Sequence, residues 1–158
     1  MIKTLAIAAA LAVFPLACAF AAEHEVKMLN KGSDGQMMVF EPAYLEVALG
    51  DTITFLPTEP AHNAESILTM MPEEAETFRG PMNKAVSVTY TKEGIYGVKC
   101  LPHYGLGMVA LFKVGEGAAP NLAAALAAKH PPRAAERFKT LFKDAGLDPA
   151  LAQIASNR

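Results

Sequence analysis

One short segment of the sequence carries three side chains that can bind a soft metal ion. Cys100, His103 and Met108 follow a C-x2-H-x4-M spacing on a loop between two strand-like segments. Thiolate and thioether sulfur favour Cu(I), whereas imidazole serves both oxidation states of copper. A lone methionine is usually a core residue, but three such side chains on one loop predict a metal site.

A second imidazole is available on an earlier loop. His62 follows the strand-like residues 53–56, and it would complete a His2Cys set with Cys100 and His103. Met108 would then be a weak axial ligand, and this set is typical of copper centres that transfer electrons. Zinc is disfavoured because only one thiolate is present and methionine is a poor zinc ligand. The C-x-x-C-H motif of haem attachment is absent.

The residue after His62 could join the two ligand loops. Asn63 carries an amide that can both donate and accept hydrogen bonds, so we expect it to hold its own loop against the Cys100 loop. A rigid site suits an electron carrier, because the ligands should move little when the oxidation state changes. The other two histidines show no such pattern. His24 is expected to be exposed, and His130 has no partner in view.

The N-terminal segment has the layout of a secretory signal. Lys3 supplies the positive charge, an apolar alanine-rich stretch follows, and residues 19–21 place small side chains at the cleavage-specifying positions. Residues 1–22 are therefore predicted to be a signal peptide, so that the mature chain begins near Ala22 or Glu23. The uncharged run just reaches the length of a membrane span, but its small-residue end favours cleavage.

Composition and cysteine count narrow the class of protein. The 158 residues include 14 Lys+Arg and 16 Asp+Glu. Loss of Lys3 with the signal leaves a mature charge of −3, which excludes a nucleic-acid binder that works by bulk charge. Cys18 is also lost, so Cys100 is the only cysteine of the exported chain and no internal disulfide can form.

Two regions of different pattern follow the signal. Residues 23–116 contain short strand-like segments with period-2 alternation, as in Ile53 and Phe55 between threonines, separated by turn signals. This spacing predicts an antiparallel sandwich. Residues 59–79 form an irregular excursion with one short strand and one helical turn. Residues 117–158 are predicted to be a helical extension packed on the outside of the same domain.

At these positions the sequence resembles the pseudoazurins of the cupredoxin, or blue copper, family. The likeness extends over nearly the whole mature chain, and its most specific part is the C-x2-H-x4-M loop. The matching residues are 26–32, 38–42, 50–52, 62–63, 96–100, 102–104, 114–115 and 120–122.

The resemblance implies an all-β, eight-stranded Greek-key sandwich with two C-terminal α-helices. It implies one type 1 copper ion, cycling between Cu(II) and Cu(I), that is bound by His62, Cys100, His103 and Met108. The protein would be a monomeric electron carrier of the periplasm, without a membrane span in its mature form, and not an enzyme. Its redox partners would be copper nitrite reductase and c-type cytochromes of denitrification.

The same family surrounds its exposed ligand histidine with lysines that attract an acidic partner. Lys31, Lys99 and Arg79 are the cations available here, and Pro60 and Pro81 stand where lysine is common. Steering charges affect the association rate more than the existence of binding. We therefore expect a partner to dock here more by apolar contact than by charge.

Two other functions stay open at the level of sequence. A copper-binding or delivery protein of the periplasm would use the same ligand types, although it would favour exposed ligands that exchange readily. A thiol enzyme would use Cys100 as nucleophile and His103 or His62 as base, although no orienting acid is visible beside either histidine.

Overall fold

Eight strands form the body of the protein within residues 21–148, the part of the chain that this computed structural model describes. The strands are β1 Glu23–Lys31, β2 Met37–Glu41, β3 Tyr44–Val47, β4 Thr52–Pro57, β5 Glu65–Ser66, β6 Val86–Thr89, β7 Gly94–Lys99 and β8 Val109–Val114. They make two four-stranded sheets, with strand orders β2-β1-β4-β6 and β3-β8-β7-β5. The predicted eight-stranded sandwich is confirmed.

The alternating residues of β4 show why this segment is a strand. Ile53 and Phe55 are completely buried between the sheets. Thr52 and Thr54 point outward, where their hydroxyls lie 2.8 Å from those of Thr89 and Ser87 on β6. A period-2 pattern thus places apolar side chains on one face and hydroxyl pairs on the other.

The direction of two strand pairs differs from the prediction of an antiparallel sandwich. β1 runs parallel to β4, and β3 runs parallel to β8, whereas the other pairings are antiparallel. In both parallel pairs the chain crosses to the other sheet before it returns. Period-2 alternation reports which face is buried, but it carries no information about strand direction, so the pattern predicted the strands and missed their polarity.

Two helices cover the outer face of the second sheet. They are α1 Leu122–Ala127 and α2 Pro132–Asp144, and they pack on β7 and β8. Those two strands are therefore buried on both faces. Phe138 and Phe142 of α2 lie in this second core with Ile95 and Leu111, which confirms the predicted packing of helices on the outside of the sandwich.

The predicted irregular excursion between β4 and β6 is also confirmed. It contains β5 and a 3-10 turn at Leu68–Met70. Met70 is completely buried in the second core cluster, so this excursion is packed against the sheet rather than free of it.

The start of β1 is anchored to the β3–β4 turn. The Ala22 amide donates to Asp51 Oδ1 at 2.8 Å, and the Thr52 amide donates to the Ala22 carbonyl at 2.9 Å. His24 Nε2 lies 2.8 Å from Asp51 Oδ2, so the expectation of an exposed His24 is wrong. The bonds from His24 and Ala22 lower the pKa of Asp51, and their stabilisation is lost as Asp51 becomes protonated in acid.

Predictions about the chain ends and about the domain boundary stay predictions. The signal peptide, residues 1–22, and the end of the 117–158 extension fall largely outside the described residues. Between residues 21 and 148, no helix combines the length and hydropathy needed to span a membrane.

Candidate metal centre

The adjacent ends of two strands position most of the site. Cys100 directly follows β7 and Met108 directly precedes β8. These strands are antiparallel neighbours, and Lys99 pairs with Val109 at their ends. The pairing closes the loop between them, because the Cys100 amide donates to the Met108 carbonyl at 3.0 Å.

The closed loop returns through a short 3-10 turn at Tyr104–Leu106. The His103 carbonyl accepts hydrogen bonds from the amides of Leu106, at 3.0 Å, and Met108, at 3.1 Å. Gly107 has φ +91°, a left-handed conformation that glycine adopts without steric cost. The loop backbone is therefore held by its own hydrogen bonds between Cys100 and Met108.

Three potential donor atoms converge at one point. His62 Nδ1 lies 3.7 Å from Cys100 Sγ, and His103 Nδ1 lies 3.6 Å from the same sulfur. The two Nδ1 atoms are 3.1 Å apart. The centre of a triangle with these sides is about 2 Å from each corner, which is the length of a metal–imidazole bond. The arrangement of the three side chains thus fits a metal ion.

Burial favours the uncharged forms of two of these donors, the imidazole of His62 and the thiol of Cys100. His62 and Cys100 are completely buried. Burial, followed by the charge of neighbouring His103, lowers the pKa of His62, so its imidazole is neutral and has a lone pair for a metal. Burial also raises the pKa of the Cys100 thiol. A bound metal cation would favour the thiolate instead, and metal binding would then release a proton.

His62 also has a buried atom without a partner. Its Nε2 has no hydrogen-bond partner in the described structure, which is rare for a buried polar atom and costs about 1–3 kcal/mol. A metal bond at Nδ1 would compensate for this cost and would explain a histidine at this buried position.

Met108 and His103 occupy different environments. Met108 is completely buried in the same core cluster as Cys100. Cys100 is the first residue of the loop and Met108 is the last. His103 is partly exposed, and Leu101 and Leu106 beside it are 43% and 45% exposed. The site is therefore accessible to solvent only at its His103 side among these residues, and the neighbouring exposed side chains there are apolar.

Asn63 joins the two ligand loops, as the sequence predicts. Its Oδ1 accepts from the Leu101 amide at 2.8 Å, and its Nδ2 donates to the Gly80 carbonyl at 3.2 Å. The side chain is almost completely buried. One amide therefore links the His62 loop to the residue directly after Cys100.

A buried carboxylate beside the site was not predicted. Glu65 lies 3.3 Å from Lys99 Nζ and 3.2 Å from Arg79 Nε, and it is only 8% exposed. Two of the three cations considered for attracting a partner therefore share one carboxylate of the same chain. Nothing in the sequence indicated that Glu65 would pair with these two cations, because the pairing depends on how the loops pack.

His130 has a partner, and the prediction that it has none is wrong. The Tyr104 hydroxyl lies 2.6 Å from His130 Nδ1. Tyr104 directly follows His103 in the ligand loop, whereas His130 precedes α2. The contact brings together residues 26 positions apart, so sequence spacing could not reveal it.

Comparison with known proteins agrees with this geometry. The plastocyanin/azurin family of copper-binding proteins matches residues 26–115. Pseudoazurin of Paracoccus pantotrophus is 48% identical over 148 residues, which cover 93% of this chain and 94% of that protein.

Two solved structures share the fold of this chain. Pseudoazurin from Methylobacterium extorquens AM1 is 44% identical, with a TM-score of 0.74 over 78% of this chain and 98% of that one. Native pseudoazurin from Hyphomicrobium denitrificans is 40% identical, with a TM-score of 0.73 over 77% and 97%. The chain therefore belongs to the plastocyanin/azurin family of copper-binding proteins, as a cupredoxin of the pseudoazurin type that carries electrons on one type 1 copper ion and is not an enzyme.

Proposed function

We propose that His62, Cys100, His103 and Met108 would hold the copper ion, with the thioether of Met108 as the weakest of the four donors. The observation that supports this assignment is the triangle of donor atoms, with sides of 3.1, 3.6 and 3.7 Å. Copper supplies the one-electron couple between Cu(II) and Cu(I). The protein's part is to hold the ligands still, to exclude water and to present one ligand to a partner.

The loops around the site perform the first two tasks. Hydrogen bonds within residues 100–108 and the side chain of Asn63 fix the ligand positions. His62, Cys100 and Met108 are completely buried, so water has no access from their side. His103 is the partly exposed ligand, and it offers electrons a short path to the surface.

The burial of the proposed ligands favours an electron carrier over a thiol enzyme or a copper-delivery protein. A thiol nucleophile is usually accessible and has a lowered pKa, whereas Cys100 is buried and its pKa is raised. A copper-delivery protein needs ligands that exchange readily, whereas three of the four proposed ligands are completely buried. Both observations favour electron transfer over catalysis or delivery.

Replacing Met108 tests the carrier against these alternatives. Met108→Leu keeps an apolar side chain of similar volume and removes the thioether. We expect the protein to keep copper and its visible colour, and its reduction potential to rise, because the more highly charged Cu(II) loses more when a donor is removed. Cyclic voltammetry and visible spectroscopy would measure both.

A second buried methionine provides the matched control for this test. Met70 is also completely buried, but it belongs to the core cluster beneath the helices, so Met70→Leu should leave the potential unchanged. Loss of copper from Met108→Leu alone would favour delivery, and indifference to the substitution would favour a thiol enzyme.

We further propose that the carrier serves periplasmic partners and that copper nitrite reductase and c-type cytochromes are among them. The resemblance to pseudoazurins motivates this choice. Leu101, Pro102 and Leu106 offer an exposed apolar surface around His103. Glu65 pairs with both Lys99 and Arg79, which lowers the positive charge of this cluster, and we expect apolar contact to contribute more to docking than charge.

Stopped-flow mixing of the reduced protein with either partner would test this proposal. We expect reoxidation at a rate that depends only weakly on salt, since exposed charges are screened by salt and apolar contacts are not. Leu106→Ser should slow the reaction. Leu49→Ser is the control, because Leu49 is 53% exposed but precedes β4, whereas His62 follows that strand. A steep fall in rate with salt would contradict apolar docking, and no reoxidation would exclude these partners.

Export is part of the same proposal: cleavage after residue 21 would leave Ala22 as the first mature residue, and cleavage after residue 22 would leave Glu23. The contacts of Ala22 with Asp51 and Thr52 favour Ala22 over Glu23 as the first mature residue. A free ammonium group at Ala22 would retain the bond to Asp51 and add an ion pair. Mass spectrometry of the periplasmic protein distinguishes the two starting residues.

A further inference from the structure

The ligand loop makes a side-chain contact with the C-terminal extension. Tyr104 directly follows the proposed ligand His103, and its hydroxyl lies 2.6 Å from His130 Nδ1. The two rings meet edge to face, with centroids 6.2 Å apart and planes at 78°. The distance is that of a good hydrogen bond, with the tyrosine hydroxyl as donor to a neutral imidazole.

His130 is itself held in place. It directly precedes Pro131 and Pro132, whose rings restrict the backbone at the start of α2. Its imidazole lies against the ring of Phe138, with centroids 4.6 Å apart, and Phe138 is nearly completely buried in the second core cluster. Burial lowers the pKa of His130, so the imidazole is neutral near pH 7 and Nδ1 can accept a hydrogen bond.

The loop and α2 also approach each other through their backbones. A Cβ atom on Gly107 would lie 3.1 Å from the Arg133 carbonyl oxygen. The left-handed φ of Gly107 and this close approach both favour glycine at this position. The extension therefore touches the ligand loop at two points, at Tyr104, where the 3-10 turn begins, and at Gly107, directly after the turn.

A cation covers part of the Tyr104 ring as well. Lys99 Nζ lies 5.1 Å from the ring centroid, within the range of a cation–π contact. Since Glu65 holds the same Lys99 ammonium at 3.3 Å, this side of the tyrosine is also fixed. Tyr104 thus contacts Lys99 at the end of β7 on one side and His130, just before α2, on the other.

We propose that His130 is a positioning residue for the copper site and that it holds His103 in place through Tyr104. Asn63 fixes the Cys100 end of the loop, and His130 fixes the His103 end. The C-terminal extension thereby limits movement of the partly exposed ligand between oxidation states. The inference rests on the proposed ligand role of His103, and its test therefore includes a measurement on metal-free protein.

The test removes the contact from either side. Tyr104→Phe deletes the hydroxyl, His130→Leu deletes the acceptor, and the double variant deletes both. Amide hydrogen exchange of metal-free protein then reports on Leu106, Gly107 and Met108, whose amides bond within the loop. We expect exchange to become up to about tenfold faster, the equivalent of one hydrogen bond of about 1.4 kcal/mol, with no further increase in the double variant.

Copper-loaded protein gives the second readout. In both single variants we expect a changed copper hyperfine splitting in the EPR spectrum and faster loss of copper to a chelator. Tyr96→Phe is the matched control, because the Tyr96 hydroxyl donates to the Lys92 carbonyl at 2.8 Å, away from the loop. Tyr96→Phe should change neither the hydrogen exchange of the loop amides nor the EPR spectrum.

The outcomes separate this proposal from the ligand assignment. Unchanged loop exchange in Tyr104→Phe, or a change no larger than in Tyr96→Phe, would overturn the positioning role even if His130→Leu failed to fold. Faster exchange together with an unchanged copper spectrum would overturn the positioning role of His130 and leave the ligand role of His103 intact. Faster exchange, altered hyperfine splitting and faster copper loss in both variants would support the proposal.

Discussion

Cys100→Ser is expected to abolish both the intense visible absorption of the copper-loaded protein and its reversible one-electron couple. The absorption of such centres arises from charge transfer between a thiolate and Cu(II), and a serine hydroxyl cannot replace the thiolate. Serine has nearly the same shape, so the fold should remain, with a cost of about 1–3 kcal/mol for a buried hydroxyl. Visible spectroscopy, voltammetry and circular dichroism would measure the three properties.

The second cysteine provides the control for this experiment. Cys18 lies within the predicted signal peptide, residues 1–22, so Cys18→Ser in the precursor should leave the purified protein unchanged. If the colour survived Cys100→Ser, the sulfur would not be a copper ligand. The assignment of the whole ligand loop would then be wrong.

Asn63→Ala is expected to have the next largest effect. It removes the acceptor of the Leu101 amide and the donor to the Gly80 carbonyl. The loss leaves partly buried backbone groups unpaired, at a cost of about 2–4 kcal/mol. Because Leu101 directly follows Cys100, we also expect an altered EPR spectrum and a shifted reduction potential.

A second asparagine with the same kind of contacts separates these two effects. Asn121 accepts from the Ile95 amide and donates to the Ile95 carbonyl, both at 2.8 Å, and it lies where α1 begins. Asn121→Ala should lower the free energy of unfolding by a similar amount and leave the copper spectrum unchanged. Equal spectral changes in both variants would mean that Asn63 acts only through general stability.

The sequence predicted those features of the site that depend on local spacing. Cys100, His103 and Met108 lie on one short loop, so the chain itself brings them together once its flanking strands pair. Asn63 was predictable because it neighbours His62. The alternation in β4 and β6 likewise predicted which side chains face the core.

Features that depend on how distant segments pack were missed. His130 reaches Tyr104 only because α2 docks on β8 beside the ligand loop. Glu65 is buried only because Lys99 and Arg79 surround it, and charged residues are ordinarily exposed. The parallel pairing of β1 with β4 depends on where the chain crosses between the sheets, and side-chain alternation does not encode this.

The most direct test of the central claim is to load the purified mature protein with Cu(II) and record its visible absorption and EPR spectra. The geometry of His62, Cys100 and His103 predicts an intense thiolate-to-copper band that ascorbate bleaches and reoxidation restores. A colourless protein, or an EPR spectrum of copper bound only by nitrogen and oxygen, would contradict the account. Cys100 would then be an ordinary buried thiol.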